Sequence, residues 1–492
     1  MEPYVMAFDV GTSGVKTAVI AADGRLLACA GGTYPLAAPR PGWAEQNPED
    51  YWLALCAGAR RAAAEAGSPP EGIAGISLCT QWKGIIPVDA QGRALHPCVI
   101  WLDARGEEEA AYLNERLGTG LFSGQSYWAK LLWLKRRRPE IYSRAAYILE
   151  VNSFLRRRMT GQWAVDVSND FIHSPTEETD RFYRRVLEAG ELDREKFPPM
   201  VDSTDQTGVL APGPAGKLGL PPGIPVFAGS ADIPAVAIGA GCGARGAVHA
   251  YFGTSGWVGA VTDRQAPASG LAAAAMDRER DVVLFSLQSV GLALNWAVDQ
   301  FYAAERAQLG GGIFDLLERE LEDLPAGSGR LLAAPWLSGE LPPLSERARL
   351  AFLNGCPLHT RRHYVNAVME GVCYAMRQCA QRCGELRDRP LEALTVVGGG
   401  ANSGRWMQML ADVLGIPVSV PADHAHAGAV GGAYCALAGL GLWRDAGAVR
   451  RSRRAERRFL PREERREEYE KMYGVYTGLY QRLEPIFTQL QT

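Results

Sequence analysis

The 492-residue chain has no uninterrupted apolar run of the roughly 18 residues that a membrane-spanning helix requires. Its start passes from Met1 straight into an apolar stretch at residues 4–8, without the basic segment and small-residue cleavage site of a secretory leader. Charge of one sign is also lacking: 52 Lys and Arg against 55 Asp and Glu leave a net −3, which argues against a protein whose main task is gripping nucleic acid. The ten cysteines are scattered singly from Cys29 to Cys435, without the short paired spacings of zinc sites or disulfide frameworks. Cys379 and Cys383, four apart on an expected helix, read as small buried side chains. What remains, 47% hydrophobic and 22% charged, is the balance of a globular, cytoplasmic enzyme with neither membrane nor nucleic acid as partner. The length favours at least two domains.

A repeated turn organises the chain. Met6-Ala-Phe-Asp9-Val-Gly11-Thr12-Ser13-Gly14-Val-Lys16 reads as an apolar strand and a tight polar turn. Residues 15–21 then alternate as a strand rather than opening the helix of a P-loop, and Asp23-Gly24 makes a hairpin into residues 25–30. Half a chain later His249-Ala-Tyr-Phe-Gly253-Thr254-Ser255-Gly256-Trp-Val repeats strand, the same turn residues, and strand, which points to an internal duplication. Two related lobes would present both turns, with their backbone N–H groups and hydroxyls, to a polyphosphate. Residues 72–79 and 223–228 read as buried strands leading into Thr80-Gln81-Trp82-Lys83-Gly84 and Gly229-Ser230-Ala231-Asp232, whose polar residues are placed to line a crevice. Residues 394–397 form a further strand before Gly398-Gly399-Gly400-Ala401-Asn402-Ser403, with Asn402 or Ser403 as N-cap of a helix over 405–414. The Gly/Ala-rich segment 425–440 predicts a close-packed helix, and residues 212–225, with five prolines, a surface loop. Residues 463–469 predict an exposed charged helix face. The domain division is 1–245, 246–445 and a charged helical tail at 446–492.

These pieces offer each part that phosphoryl transfer requires: a polyphosphate cradle, a divalent metal and a base for the attacking hydroxyl. Asp9, at a strand end beside a glycine turn, suits Mg²⁺, directly or through water. Gly11, Thr12, Ser13, Gly253, Thr254 and Ser255 suit phosphate oxygens, and Lys16 can neutralise developing charge if it turns inward. Asp232, ahead of an apolar helical run, is the candidate base, with an N-cap role as the plain alternative. Asp103 and Arg105, in Trp101-Leu-Asp103-Ala-Arg105 at an expected strand end, suit several hydroxyls or else pair with each other.

In that order, Asp9 to Lys16, Trp101 to Arg105, Gly229 to Asp232, Gly253 to Gly256, Pro335-Trp-Leu-Ser-Gly-Glu340 and Gly398 to Ala401 resemble the FGGY carbohydrate kinases over about residues 4–440. Ala129-Lys-Leu-Leu-Trp133 and Met159-Thr-Gly161 before Asp166-Val-Ser168 bring the likeness nearest to xylulose kinases. The resemblance implies two ribonuclease H-like (actin/hexokinase-like) α/β domains with ATP in the cleft between them. It implies Asp232 as catalytic base, also near the metal, Asp9 near Mg²⁺, and Gly398, Gly399, Gly400, Ala401 and Asn402 at the adenosine. Gln81, Trp82, Lys83, Asp103 and Arg105 would border the sugar, and the segment 335–343 with Glu340 would be more structural than catalytic. The activity implied is transfer of the ATP γ-phosphate to an alcohol group of a sugar, a pentulose such as xylulose first, then other sugars, polyols or aldonates. Two departures stand out. Gln81-Trp82-Lys83-Gly84 replaces the usual Gln-Met-His-Gly, changing the size, charge and donor pattern of the sugar pocket, and Tyr127 occupies a position that is usually small. An actin-like ATPase doing conformational work and a non-catalytic sugar-binding regulator are the alternatives. The oligomeric state, a homodimer among the options, is left open.

Overall fold

The structure, a computed structural model, describes residues 3–67, 70–173, 176–265, 271–337, 339–340, 347–452 and 456–491. Of the 335–343 signature, positions 338 and 341–343 therefore lie outside the described residues. Two compact units emerge: one comprises residues 1–245, 261–283 and 426–453, the other 246–260, 284–425 and 454–492.

In the first unit the apolar run Tyr4–Val10 (β1) is buried along its length except at Asp9, as befits a central strand covered on both faces. It pairs antiparallel with Gly14–Ala21 (β2), which pairs antiparallel with Leu26–Thr33 (β3). On its other side β1 pairs parallel with Ile73–Thr80 (β4), and β4 with Pro225–Phe227 (β5). The two-residue strand Ser230–Ala231 (β6) also pairs with β4, beyond β5. The second sheet repeats the plan. Val248–Phe252 (β7) pairs antiparallel with Gly256–Asp263 (β8), which neighbours Arg280–Leu287 (β9). The other side of β7 pairs parallel with Leu394–Val397 (β10), followed by Val418–Pro421 (β11) and an antiparallel edge, Glu456–Phe459 (β12). The orders β3-β2-β1-β4-β5 and β9-β8-β7-β10-β11 are the same, which gives the duplication read from the two glycine turns its structural counterpart.

The Gly/Ala segment forms the helix Ala427–Gly439, which crosses the helix Asp232–Gly239 within the first unit. Here the small residues are obligatory. A Cβ on Gly431 would stand 1.9 Å from the Ala235 carbonyl oxygen, and one on Gly239 1.8 Å from that of Ala427. Gly432 lies over Ala7 and Cys79, so the same helix seats on β1 and β4.

Two sequence readings are corrected. Residues 212–225 are not wholly loop, because Pro212–Leu218 is a short helix. Pro212 occupies a first-turn position, where the missing N–H costs nothing, and Gly219 closes the helix in the left-handed conformation (φ 72°). The helix Glu463–Thr477 is not merely a solvated charged face. Tyr469, Met472, Tyr473 and Tyr476, at i, i+3, i+4 and i+7, form a buried stripe, and the three tyrosines surround Tyr374 of the 26-residue helix Arg361–Leu386 at 5.5–6.4 Å between ring centres. That long helix also buries Cys379 and Cys383.

Gly431→Ala is expected to cost about 3 kcal/mol, because its methyl meets backbone that cannot yield. Gly216→Ala, in the Pro212–Leu218 helix with nothing within 4 Å, should stabilise by about 0.5–1 kcal/mol. Thermal unfolding of the two variants beside the wild type checks both signs.

Candidate active site

The carboxylates of the first unit are placed by strand register. Asp9 lies beside Cys79 in the β1–β4 pairing, and Ser230 lies beside Cys79 on the opposite edge of β4. Ala231 aligns with Thr80, and Asp232 follows as the first residue of the helix Asp232–Gly239. Asp9 and Asp232 thus stand at the carboxyl ends of strands flanking β4, where open α/β sheets collect ligands. Burial, reinforced by the Asp9 charge, pushes the Asp232 carboxyl up to about 7, while its Oδ1 accepts the Ile233 N–H at 2.9 Å. Burial also raises Asp9, opposed by the Lys16 ammonium and a weak Cys79 thiol contact of 3.6 Å. Lys16 faces Asp9 in the β1–β2 register, although its side chain is largely exposed. No group of three or more His, Cys, Asp or Glu converges on a metal site among the described residues. A pair of carboxylates held close, each costing energy to ionise beside the other, is a donor set that suits Mg²⁺, which keeps several waters.

The glycine turn after β1 is braced from below. Gly11 N–H donates to the Gly14 carbonyl at 2.9 Å, and the Tyr34 hydroxyl donates to the carbonyls of Gly11 and Gly14. Gln46 Nε2 donates to the Thr12 carbonyl at 2.7 Å, and Trp101 Nε1 to the Thr12 hydroxyl oxygen at 2.9 Å. Ser13 is exposed at the tip. Gln81 is buried, donating to Gln46 Oε1 and the Tyr51 hydroxyl, while its own Oε1 has no hydrogen-bond partner among the described residues. Trp82 Nε1 donates to the Ser168 carbonyl at 2.9 Å. The Ser168 hydroxyl oxygen accepts the Ala231 N–H at 2.7 Å, so one residue ties the Trp82 turn to the approach to Asp232.

Asp103 and Arg105 are joined to each other. Asp103 accepts from the Arg105 N–H, Nε and Nη2 and from the Ala44 N–H, and neither side chain is exposed. Arg105 also pairs with Glu45 at 2.7 Å and lies 3.8 Å from the Trp43 ring centre and 4.7 Å from that of Trp133. The expected strand end is a turn after the two-residue strand Cys98–Val99. The Asp103 carboxylate is thus filled by protein donors, while Arg105 Nη1 is buried without a hydrogen-bond partner among the described residues.

The second unit carries the remaining residues. Gly253 N–H donates to the Ser255 carbonyl, and the Gly253 and Thr254 carbonyls accept from Gly291 and Leu292 at the start of the helix Gly291–Phe301. Thr254 is exposed and Ser255 partly so. β10 runs beside β7, so Gly398 follows next to Phe252. A Cβ on Gly398 (φ 99°) would stand 2.6 Å from the Phe252 carbonyl oxygen, so glycine is required there. Gly399, Gly400, Ala401 and Asn402 make a 3₁₀ turn into the helix Gly404–Leu414, and Ser403 is the N-cap, its hydroxyl oxygen accepting the Trp406 N–H. Asn402 Oδ1 meets His424 Nε2 at 2.9 Å, and Arg457 donates to the Ala401 and Asn402 carbonyls. The turns after β7 and β10 therefore lie side by side at the ends of adjacent parallel strands.

Sequence reasoning missed two contributors. Ser168 was visible only within a likeness, with no signal of its hydrogen bond to Ala231. Gly428 sits where a Cβ would stand 2.7 Å from Asp9 Oδ2, a juxtaposition between positions 419 residues apart that only the seating of its helix on β1 reveals.

Family models match both halves of the chain: "FGGY family of carbohydrate kinases, N-terminal domain" over residues 4–239 and the corresponding C-terminal domain over 248–440. The chain is similar to a xylulose kinase of Bacillus subtilis (26% identity; 99% of each chain), to a gluconokinase of the same organism (25%; 100% of this chain and 98% of the other) and to an L-xylulose/3-keto-L-gulonate kinase of Escherichia coli (28%; 100% and 99%). Among solved structures, a ligand-bound xylulose kinase from Lactobacillus acidophilus superposes with a TM-score of 0.86 at 21% identity, over 99% of this chain and all of the other. No helix among the described residues is long and apolar enough to cross a membrane. With two α/β domains of actin-like ATPase fold that both match, the chain belongs to the FGGY family of carbohydrate kinases and is a phosphotransferase with an alcohol group as acceptor.

Proposed function

We propose that the protein transfers the γ-phosphate of ATP to a hydroxyl of a small sugar or sugar derivative, with Asp232 as the base. The observation that carries this reading is Asp232 itself, a carboxylate at a strand end beside Asp9, raised to about 7 by burial and by that neighbour. A base poised near neutrality is the state in which proton removal from an alcohol is best balanced against staying ionised. In the proposed step the acceptor oxygen forms a bond to the γ-phosphorus, the bond from that phosphorus to the β–γ bridging oxygen breaks, and the hydroxyl proton passes to Asp232. Asp9, with Asp232 beside it, would hold Mg²⁺, which when bound neutralises charge on the β- and γ-phosphates.

Gly11, Thr12, Ser13 and Lys16, with Gly253, Thr254 and Ser255, are assigned to the phosphates. Gly398, Gly399, Gly400, Ala401 and Asn402 are assigned to the adenosine, supported by the close backbone packing that only glycine permits at 398. Gln81, Trp82 and Lys83 are assigned to the acceptor, and Asp103 with Arg105 to shaping its pocket. Gln81 is supported by a buried Oε1 without a hydrogen-bond partner among the described residues, since such an atom costs about 1–3 kcal/mol unless a donor meets it. The named relatives include kinases for xylulose, gluconate and 3-keto-L-gulonate, so pentuloses and sugar acids are the acceptors to test first.

ADP release from ATP and Mg²⁺ should rise at least tenfold with one or more members of a panel of pentuloses, aldonates and polyols. Stimulation by none would favour an ATPase or a regulator instead. Asp232→Asn is expected to lower kcat by about 10³-fold while acceptor binding, followed by calorimetry, persists; an unchanged rate sinks the assignment.

Gly428→Ala supplies a second test. Its methyl would meet the Asp9 carboxylate, 2.7 Å from Oδ2 and 2.8 Å from Cγ, rather than backbone, so the side chain must turn and the thermal midpoint should fall by less than in Gly431→Ala. Turnover should fall about tenfold and the Mg²⁺ concentration for half-maximal rate should rise. An unaltered metal requirement would remove Asp9 from that role.

A further inference from the structure

Lys83 is held in an unusual conformation among unusual neighbours. Its φ of 61° lies in the left-handed region, which costs a non-glycine residue on the order of 1 kcal/mol or more and persists where the surroundings impose it. Its carbonyl is held by Lys130, buried on the helix Tyr127–Arg137, whose ammonium donates to the Lys83 carbonyl at 2.9 Å and the Ile100 carbonyl at 2.8 Å. The Lys83 ammonium then lies 4.2 Å from the centre of the Trp82 ring. It makes no ion pair among the described residues, and burial alone, with no carboxylate to offset it, brings it down to about 8.

The wall around it is built from the same departures that mark this chain. Trp82 packs on Phe171 at 5.7 Å between ring centres, and Phe171 stacks on Tyr127 at 4.4 Å. Trp82 and Tyr127, the two positions at which the sequence leaves the usual pattern, therefore meet through one ring, and the new cation belongs to the same wall. Ser168 connects this wall to Ala231, the residue before Asp232. A partly buried ammonium with no carboxylate partner among the described residues, on a strained backbone three residues beyond β4, can take an anion that arrives from outside.

From this arrangement we infer that Lys83 selects acceptors carrying a carboxylate, so that the substrate class is sugar acids, aldonates or ketoaldonates, with neutral ketoses as poorer substrates. The inference rests on the kinase reading above and deepens it. The carboxylate pairs with Lys83, the Trp82 face and the Phe171–Tyr127 stack limit the pocket laterally, and a hydroxyl elsewhere on the same carbon chain is presented to Asp232. Lys83 is in this sense a specificity residue that contacts substrate and takes no part in the proton transfer.

The test measures kcat/KM for five- and six-carbon aldonates and ketoaldonates and for neutral ketoses of the same lengths, in the wild type, Lys83→Met and Lys83→Gly. Lys83→Met removes the charge at similar length, and Lys83→Gly also removes the backbone strain, so at least this variant should fold as well as the wild type. In both, the ratio of kcat/KM for the best acid to that for the best neutral sugar should fall about 30-fold, mainly through KM, as expected for losing one charge-assisted pair. The thermal shift produced by the acid should vanish with it, while that produced by ATP stays. A ratio that falls less than tenfold in Lys83→Gly, or a wild-type enzyme that phosphorylates neutral sugars and no acid, overturns the inference and leaves the kinase reading intact. Absence of turnover with every acceptor overturns both.

Discussion

Where β4 accepts β1 on one edge and β6 on the other, Cys79 has Asp9 on one side and Ser230 on the other, and the fold has no freedom to separate the two acidic residues that follow from this register. The placement of both carboxylates depends on that pairing. Burial, reinforced by the Asp9 charge, raises the Asp232 carboxyl to about 7, against the Ile233 N–H that favours its ionised form. The helix Ala427–Gly439 makes the arrangement sterically feasible. Its glycines let it approach Ala235, the sheet and Asp9 at once, and a chain with ordinary helix formers there would have to lift it off all three.

The same economy governs the second unit, with a different outcome. β7 and β10 repeat the β1 and β4 pairing, and the turn after β7 repeats the Gly-Thr-Ser-Gly of the first. Tyr251 stands where the first copy has Asp9, so the second turn offers backbone and hydroxyls without a carboxylate. Duplication supplied two Gly-Thr-Ser-Gly turns, and divergence at one position left a carboxylate beside only one of them.

Strands with pure periodicity and turns with forced glycines were legible in the sequence: β1 to β4, β7, β8 and β10 and the close-packed helix at 427–439 follow from local pattern, and the N-cap was narrowed to Asn402 or Ser403, of which the structure selects Ser403. The misread elements are those whose evidence is cooperative. Pro212–Leu218 hides a helix because its prolines fall in the one turn that tolerates them. The tyrosine stripe of Glu463–Thr477 was masked by the charges interleaved with it. At the site, the residue types announced Asp9 and Asp232, but the saturation of Asp103 by Arg105 and Ala44 and the approach of Gly428 to Asp9 are tertiary facts, set by which strand lies beside which.

Electrostatics also constrains how an anionic acceptor can lie. Its carboxylate would be repelled by Asp9 and Asp232, so of the two ends of the sugar chain only the hydroxyl-bearing one can approach them. Lys83, beside Trp82 on the Ser168 bridge, would supply the opposite pole as a cation that pairs with no carboxylate among the described residues. A histidine at that position would be charged only in part at neutral pH, and a methionine at position 82 would present no aromatic face to a cation. The Trp82-Lys83 pair thus joins charge, shape and polarity in two adjacent residues, and the orientation of the acceptor follows from it without any change in the machinery around Asp232.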